Sequence, residues 1–241
     1  MILAAGLGTR LKPITDNIPK ALVPVGGTPM LEHIILKIKA TGFTHIVINI
    51  HHFGEQITDF LASKDNFGLT VDISDERDYL LDTGGGIRQA GCFLNGNEPI
   101  LVHNTDMFTN VDLMAMYRSH INSNAFATLA VSARWNPRQL LFNKEGLLCG
   151  WQNLETGAVK AQIPNFDPSN CTAYAFGGIH VISPHIFQLM ESWPGKFSII
   201  NFYLSVCNQK PIHLYTADDI RLIDTGKPTG IAEAEQWLSP F

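Results

Sequence analysis

The stretch Ile2-Leu3-Ala4-Ala5-Gly6-Leu7-Gly8-Thr9-Arg10 predicts a short apolar strand that runs directly into a loop of small residues. A loop of this kind exposes backbone N–H groups, which together can surround an anion. The loop ends in Arg10 and is followed further along by Lys20, and these two side chain types are the best suited to binding polyphosphate. The combination predicts a site for a nucleoside triphosphate.

Two better-known glycine-rich loops do not fit this stretch. The dinucleotide-binding fingerprint requires a third glycine where this chain has Leu11, and Pro13 and Pro19 prevent a long helix from starting here. The P-loop requires Gly-Lys-Ser/Thr, where this chain has Gly8-Thr9-Arg10. The glycines alone are compatible with an ordinary tight turn, so the prediction depends on the Arg, Pro and Lys residues that accompany them.

The first half of the chain alternates short apolar strands with helical segments, as parallel sheets require. The patterns predict strands at 46–50, 69–73, 99–104, 127–131, 174–182 and 212–215, and helices at 31–40, 55–63, 86–93, 113–120, 184–191, 199–207 and 228–237. Residues 134–173 read as short pieces separated by glycines, which predicts an antiparallel excursion laid over the sheet edge. We therefore predict an α/β fold, a single-domain Rossmann-like mixed and mainly parallel sheet flanked by helices.

Composition argues against several classes of protein. A formal net charge of −5 and the lack of a Lys/Arg-dense run argue against nucleic acid as a partner. No apolar stretch is long enough to span a bilayer and no signal-like segment opens the sequence, so we expect a cytoplasmic protein that does not bind membranes. The four cysteines are scattered without a C-x-x-C pair, which predicts reduced thiols without a disulfide or a metal.

These motifs resemble the signature of the sugar-1-phosphate nucleotidyltransferases. The most specific motif runs from Leu3 through Arg10 to Pro19-Lys20, and shorter ones follow in the family's order at 82–87, 104–106, 177–179 and 224–226. The resemblance covers nearly the whole chain. It implies transfer of a nucleotidyl group from a nucleoside triphosphate to a sugar 1-phosphate, with release of pyrophosphate.

The same resemblance implies a domain organisation and an assembly. A single nucleotidyltransferase domain of the nucleotide-diphospho-sugar transferase type would cover 1–241, with a nucleotide-binding half at 1–110 and a sugar-binding half at 111–241. The expected partners are the two small-molecule substrates, and the expected assembly is a monomer or a small homo-oligomer.

The resemblance also implies roles for charged residues. Arg10 would hold the β- and γ-phosphates, and Lys20 would lie against the α-phosphate and the sugar phosphate. Asp106 and Asp224 would bind Mg²⁺, the expected cofactor, which neutralises phosphate charge better than side chains do. Both aspartates follow apolar strands, and the competing interpretations are a helix N-cap for Asp106 and a turn residue for Asp224. No general base is predicted, because the attacking sugar phosphate is already ionised near neutral pH.

The remaining predicted site residues contact the nucleotide or the sugar. Glycines near the base would let backbone groups approach its edge. The predicted nucleotide-binding residues are Leu3, Ala4, Ala5, Gly6, Gly8, Thr9, Thr83, Gly84 and Gly85. The predicted sugar-binding residues are Asn104, Glu155, Gly177 and Gly178.

Two departures from the family pattern concern the substrate. Many relatives that act on glucose 1-phosphate carry Glu-Lys-Pro where this chain has 153–156, so the second family lysine has no clear counterpart, and Lys160 is a weak alternative. Thr105 also stands where glycine is common. The short chain and the run at 81–87 are most similar to the N-acetylmuramate 1-phosphate uridylyltransferase branch, which predicts UTP and N-acetylmuramate 1-phosphate as substrates.

Other substrates and one non-enzymatic function stay open. Mannose 1-phosphate guanylyltransferase-like proteins are the closest alternative. A phosphocholine-type cytidylyltransferase would carry an aromatic cage, for which Trp135, Trp151 and Tyr174 are candidates. A non-catalytic nucleotide-sugar sensor would keep the fold and lose the catalytic charges.

Overall fold

The computed structural model describes residues 1–163 and 166–238. Pro164 and Asn165, which belong to the predicted 134–173 excursion, and 239–241 of the predicted domain lie outside the described residues. The strands are β1 (Ile2–Leu3), β2 (Pro24–Val25), β3 (Thr28–Pro29), β4 (His45–Ile50), β5 (Thr70–Asp75), β6 (Ile100–Asn104), β7 (Met107–Thr109), β8 (Ala127–Ser132), β9 (Arg138–Phe142), β10 (Leu148–Asn153), β11 (Val159–Lys160), β12 (Thr172–Ile182), β13 (Ile212–Tyr215) and β14 (Leu222–Asp224). The helices are α1 (Met30–Ala40), α2 (Gly54–Ser63), α3 (Asp82–Ala90), α4 (Leu113–Ser123), α5 (Ile186–Met190), α6 (Ile199–Val206) and α7 (Pro228–Leu238).

A ten-stranded mixed sheet forms the centre of the molecule. Its strand order is β11-β10-β9-β12-β6-β1-β4-β5, and β8 pairs with both β12 and β13. Strands β6, β1, β4 and β5 are parallel to one another, and β12 joins them antiparallel to β6. The predicted α/β fold, a mixed sheet flanked by helices, is confirmed.

Helices cover both faces of the sheet because successive residues of its strands point to opposite sides. On β4, Val47 packs with apolar residues of α3, α5 and α6, whereas Ile46 and Ile48 pack with those of α1, α2 and α4. Burial on both faces explains why the central strands are apolar runs without alternation. None of the helices among the described residues has the length and apolarity needed to cross a membrane.

The predicted antiparallel excursion is present but extends the sheet instead of covering its edge. Strands β9, β10 and β11 pair antiparallel in sequence, and β9 also pairs with the first residues of β12. Leu140, Leu141 and Phe142 of β9 are buried, so this strand is part of the core. Its pairing with β12 brings the middle of the chain beside the strand that carries Gly177 and Gly178.

Helix α3 begins at Asp82, whereas the sequence predicted a start at Gly86. A distant segment caps its first turn, because the amides of Gly84 and Gly85 donate to the carbonyl oxygen of Phe197, at 2.9 and 3.2 Å. A β-carbon on Gly84 would collide with the Phe197 ring, and one on Gly85 would lie 2.5 Å from the Gly195 carbonyl oxygen. The glycines therefore allow close packing inside a helix, which helix propensity alone does not predict.

Candidate active site

A cavity of about 370 Å³ lies at the carboxyl ends of β6, β1 and β4, within the size range of small-molecule sites. Eight of its lining residues carry predicted roles: Leu3, Ala4, Ala5, Gly6, Lys20, Thr83, Asn104 and Asp106. Seven others were not predicted: Ala21, Asn49, Glu76, Leu80, Asp82, Thr105 and Lys196. The position agrees with the rule that ligands of open parallel sheets bind beyond the carboxyl ends of the strands.

The glycine loop after β1 is shaped by Gly8, which adopts a left-handed conformation with φ of 67°. A β-carbon here would lie 2.7 Å from Thr15 Cγ2, and the Thr15 hydroxyl donates to the Gly8 carbonyl oxygen at 2.8 Å. Only short 3₁₀ turns follow, at Thr9–Leu11, Ile14–Asp16 and Lys20–Leu22, as the prolines predicted. Among the described residues none accepts a hydrogen bond from the amides of 6–8, which leaves these donors for an anion.

A small two-stranded sheet brings the two predicted metal ligands together. Strand β7 follows Asp106 directly and pairs antiparallel with β14, which ends at Asp224. Thr225 fixes the junction, because its amide and its hydroxyl both donate to the Asp106 carbonyl oxygen, at 2.9 and 3.0 Å. Asp112 caps helix α4, so the N-cap interpretation of Asp106 is wrong.

Asp224 does serve in the turn that follows it. Its Oδ1 accepts a hydrogen bond from the Gly226 amide at 2.9 Å. The carboxylate nevertheless faces the other charged residues, because its Oδ2 lies 3.5 Å from Nη1 of Arg10. Asp224 is thus both a turn residue and a member of the charged cluster.

Three of the four predicted charged residues converge around Gly226, and the fourth, Lys20, joins them through Asp106. A β-carbon on Gly226 would lie 2.7 Å from Arg10 Nη2, 2.8 Å from Asp224 Oδ1 and 2.9 Å from Asp106 Oδ2. The Lys20 ammonium contacts the Asp106 carboxylate. Two carboxylates therefore face two cations around a position that only glycine leaves open.

The donor set suits a magnesium ion that is shared with a substrate. Asp106 and Asp224 offer hard carboxylate oxygens, the ligand type that Mg²⁺ prefers. Within 1–163 and 166–238 no group of three or more His, Cys, Asp or Glu side chains could hold a metal ion. The protein would thus supply one or two carboxylates, and phosphate oxygens and water would complete the coordination, as is usual for Mg²⁺ in nucleotide sites.

The opposite wall of the cavity is a buried polar network that sequence reasoning missed. Asn49 accepts a hydrogen bond from the Ala4 amide at 2.7 Å and donates to Glu76 Oε1 at 2.6 Å. The other Glu76 oxygen accepts from the Leu81 amide at 3.1 Å, and burial raises the pKa of this carboxyl. An asparagine inside the apolar run 46–50 was the available signal.

The other predicted site residues lie outside the cavity lining. Gly178 has a φ of 65° at an irregularity of β12, and its missing side chain leaves room for the Asn104 amide group. A β-carbon on Gly177 would lie 2.7 Å from Leu222. Gly84 and Gly85 pack against Phe197 and Gly195, and Glu155 is exposed in the turn after β10. The nucleotide and sugar roles of these residues, like that of Thr9, stay predictions.

Two lysines differ in their relation to the cavity. Lys196 lines it and is held there by its neighbours, since the Phe197 amide donates to the Leu81 carbonyl oxygen and the Ile199 amide to the Thr83 hydroxyl. Lys160, the weak alternative for the second family lysine, lies instead over the Trp151 ring, with its ammonium 5.1 Å from the ring centroid.

Comparisons with known proteins agree with this geometry. The family model that describes the nucleotidyl transferases matches residues 1–140. An N-acetylmuramate alpha-1-phosphate uridylyltransferase of Caulobacter vibrioides is 37% identical over 248 residues, covering 99% of this chain and 89% of the relative. A protein of the same name from Neisseria meningitidis is 42% identical over 119 residues, 49% of this chain and 51% of the relative. The chain belongs to the nucleotidyl transferase family, and its predicted membership in the sugar-1-phosphate nucleotidyltransferases is confirmed.

Solved structures share the fold across the whole chain. HddC from Yersinia pseudotuberculosis, solved with GMP-PN, has a TM-score of 0.75 at 22% identity and covers 99% of this chain and 98% of its own. A UDP-glucose pyrophosphorylase solved with UDP-glucose has a TM-score of 0.77 at 19% identity, covering 98% of this chain and 96% of its own. These likenesses confirm the predicted fold type.

Proposed function

We propose that this protein transfers the uridylyl group of UTP to N-acetylmuramate 1-phosphate in a magnesium-dependent reaction. The observation that carries the proposal is the cluster of Arg10, Asp106 and Asp224 around Gly226, with Lys20 on Asp106, beside a glycine loop whose amides donate to no described residue. The choice of substrates is supported by the Caulobacter vibrioides relative, whose alignment covers 99% of this chain.

The proposed reaction is a single displacement at the α-phosphorus. An oxygen of the sugar phosphate forms a bond to the α-phosphorus, while the bond from this phosphorus to the bridging oxygen breaks and pyrophosphate leaves. No proton has to be removed from the nucleophile. The protein must therefore hold three groups in line and offset their charge, which is the main catalytic task in phosphoryl-type transfer.

The charged residues have separate tasks in this proposal. Arg10, which is half exposed and pairs with Asp224, would stabilise the charge of the leaving pyrophosphate. Lys20 lines the cavity and would neutralise the α-phosphate. Asp106 and Asp224 would hold Mg²⁺, which when bound neutralises phosphate charge and orients the substrates.

We propose that the two substrates occupy opposite ends of the cavity. Because β6, β1, β4 and β5 are neighbours in this order, Glu76 and Thr83 lie at the end of the cavity away from Asp106. We assign the base to that end, in the half formed by 1–110. We assign the sugar to Asn104 and to the half formed by 111–241, which contains Gly177 and Gly178.

The alternatives have less support. A mannose-1-phosphate guanyltransferase of Gibberella zeae is 35% identical over 136 residues, but the match covers 54% of this chain. Trp151 and Tyr174, candidates for a choline cage, both lie opposite Leu140 on neighbouring strands and pack against the core. All four charges that a sensor would lose are present. We further expect a cytoplasmic monomer or small homo-oligomer that supplies cell-wall synthesis.

The test is pyrophosphate release with Mg²⁺ from UTP, GTP, CTP, ATP and dTTP. Each is paired with the 1-phosphates of N-acetylmuramate, mannose, glucose and N-acetylglucosamine, and with phosphocholine. We expect turnover with UTP and N-acetylmuramate 1-phosphate that Asp106→Ala abolishes. The exposed Asp59 provides a matched control, since Asp59→Ala should keep full activity. Turnover with another pair only would overturn the substrate assignment, and no turnover with bound nucleotide sugar would favour a sensor.

A further inference from the structure

The two cations that pair with the carboxylates of the charged cluster both belong to the nucleotide half of the chain. Arg10 and Lys20 both come from the first twenty residues, in the nucleotide half of the chain. The attacking group is itself a phosphate and must approach a triphosphate, so repulsion between the two substrates opposes the reaction. The lysine that relatives carry in the middle region has no counterpart here, and Lys160 lies over the Trp151 ring.

Arg134 is a cation of the half assigned to the sugar, and it lies within the electrostatic reach of Asp224. It follows the end of β8 at Ser132, and Ser132 pairs with Ala175 of β12, close to Gly177. The charge of Asp224 acts on its guanidinium, as does that of Glu233 on α7. Since β8 pairs with β12, and the glycine loop follows β1 two strands away from β12, Arg134 belongs to the side of the sheet that is assigned to the sugar.

The Arg134 side chain has donors without a partner in the part of the chain that the structure describes. Its Nε is buried and donates no hydrogen bond, and none of its guanidinium nitrogens bonds to another described residue. Burial without a partner disfavours the charged form and lowers the pKa of Arg134, although Asp224 and Glu233 act in the opposite direction. Buried donors are almost always bonded in proteins, so an arginine of this kind points to a missing acceptor.

We propose that Arg134 binds the phosphate group of the sugar 1-phosphate. A guanidinium presents a fork of N–H donors that matches two phosphate oxygens, and it remains charged at any pH of interest. Binding satisfies the unused donors and offsets the repulsion between the acceptor phosphate and the triphosphate. The proposal rests on the proposed function, since it names the residue that holds the second substrate.

The test compares Arg134→Gln, Arg134→Lys and a matched control, Arg138→Gln, in the full chain. Arg138 is an exposed arginine at the start of β9. We expect Arg134→Gln to raise KM for N-acetylmuramate 1-phosphate about 10- to 100-fold, the loss expected for a hydrogen-bonded ion pair, with KM for UTP changed less than about threefold. Arg134→Lys should recover part of the loss, and Arg138→Gln should behave as wild type.

Two further measurements separate this proposal from its alternatives. Thermal melting and calorimetric binding of UTP show whether Arg134→Gln is folded, and a variant that binds UTP normally yet has an unchanged KM for the sugar phosphate overturns the proposal. Equal rises of both KM values also overturn it, because they indicate a structural role through Asp224 and Glu233. Calorimetric binding of N-acetylmuramate 1-phosphate is compared between wild type and variant without turnover. An inactive wild type would contradict the proposed reaction alone, while a binding difference would still support Arg134.

Discussion

Carboxylates lie at two places in the site, the charged cluster around Gly226 and the buried network of Glu76, and their surroundings separate chemistry from support. Asp106 and Asp224 have side chains 17% and 27% exposed, and their nearest charged partners are Lys20 and Arg10. Glu76 is 2% exposed and accepts hydrogen bonds from neutral groups, the Asn49 amide and the Leu81 backbone. The first pair is open to a ligand, whereas the second network is complete within the protein.

The difference shows why charge alone does not identify a reactive carboxylate. A buried carboxylate whose oxygens are all bonded to the protein has little to offer a substrate, and it fixes the wall of the site. Carboxylates that share a site with cations can exchange those partners for a metal ion and a polyphosphate. The Glu76 network also holds the Ala4 amide through Asn49, so it supports the strand from which the glycine loop begins.

The largest expected effect on activity comes from Asp106→Asn in the charged cluster. The amide keeps the shape of the side chain and removes the charge that would hold the metal, so we expect kcat/KM to fall about 10³-fold. The free energy of unfolding is measured alongside, because the Lys20 and Asp106 side chains are only 15% and 17% exposed and breaking such a pair also costs stability. Steady-state kinetics with Asp59→Asn as control measure the effect. More than a tenth of wild-type activity would show that the acidic pair is not the reactive end.

A second substitution, at Gly226, disturbs the charged cluster without removing a charge. Gly226→Ala puts a methyl group within 2.9 Å of Arg10, Asp106 and Asp224, whose side-chain ends must then move. Displacements of this size in a catalytic cluster cost about 10²-fold in rate. Gly226 does not need a left-handed conformation, so the variant should fold. Gly96→Ala, where a β-carbon meets only open space and one backbone atom at 4.0 Å, is the control. Equal activity of the two variants would contradict the observed convergence.

The sequence predicts the charged cluster around Gly226 far better than it predicts the buried network of Glu76. The strand at 46–50 lies within β4, and the helix at 31–40 nearly equals α1, because apolar periodicity determines both. The reactive charges belong to motifs whose residue types are dictated by phosphate chemistry. Their convergence needs β7 and β14, two three-residue strands too short to show any periodicity.

The Glu76 network and the helix beside it depend on tertiary contacts that no local sequence pattern encodes. Helix α3 contains three glycines and starts where Phe197, from a distant segment, accepts its first amides. Glu76 has a role only because Asn49, on the neighbouring strand, reaches it. Lys196 similarly enters the cavity lining through the bonds of Phe197 to Leu81. Such residues have no signature until the chain is folded.

A smaller effect is expected in the pH dependence of the free energy of unfolding, through Glu76. Because burial raises the pKa of Glu76 above 4.5, the folded protein holds this proton more tightly than the unfolded chain. The contribution of Glu76 to the free energy of unfolding is therefore greatest at low pH and falls as the pH rises through its folded pKa. The Glu76→Gln variant has no titrating group at this position. Its free energy of unfolding should therefore rise relative to that of the wild type as the pH rises.

Urea unfolding of both proteins from about pH 4.5 to 8 measures this shift. The loss of one acceptor for Asn49 or the Leu81 amide should cost the variant about 1–3 kcal/mol at the acidic end, and this deficit should shrink towards neutral pH. Burial lowers the pKa values of His103 and His180 to about 4 and 3, but these residues are present in both proteins and cancel. A deficit that is the same at every pH, as expected for the exposed control Glu145→Gln, would contradict a titrating Glu76.

The smallest expected effect concerns Glu155, the predicted sugar ligand that lies outside the cavity lining. Its amide bonds to Asn153 Oδ1 at 2.9 Å, and its side chain is exposed in the turn after β10. Because this carboxylate is exposed to water and lies outside the cavity lining, we expect Glu155→Ala to change KM for the sugar phosphate less than about threefold. A tenfold or larger rise, with KM for UTP unchanged, would instead place the β10–β11 turn over the bound sugar. A part of the chain that is exposed in the free protein would then complete the acceptor pocket. The end of the cavity near Asp106 would close only when the sugar phosphate binds.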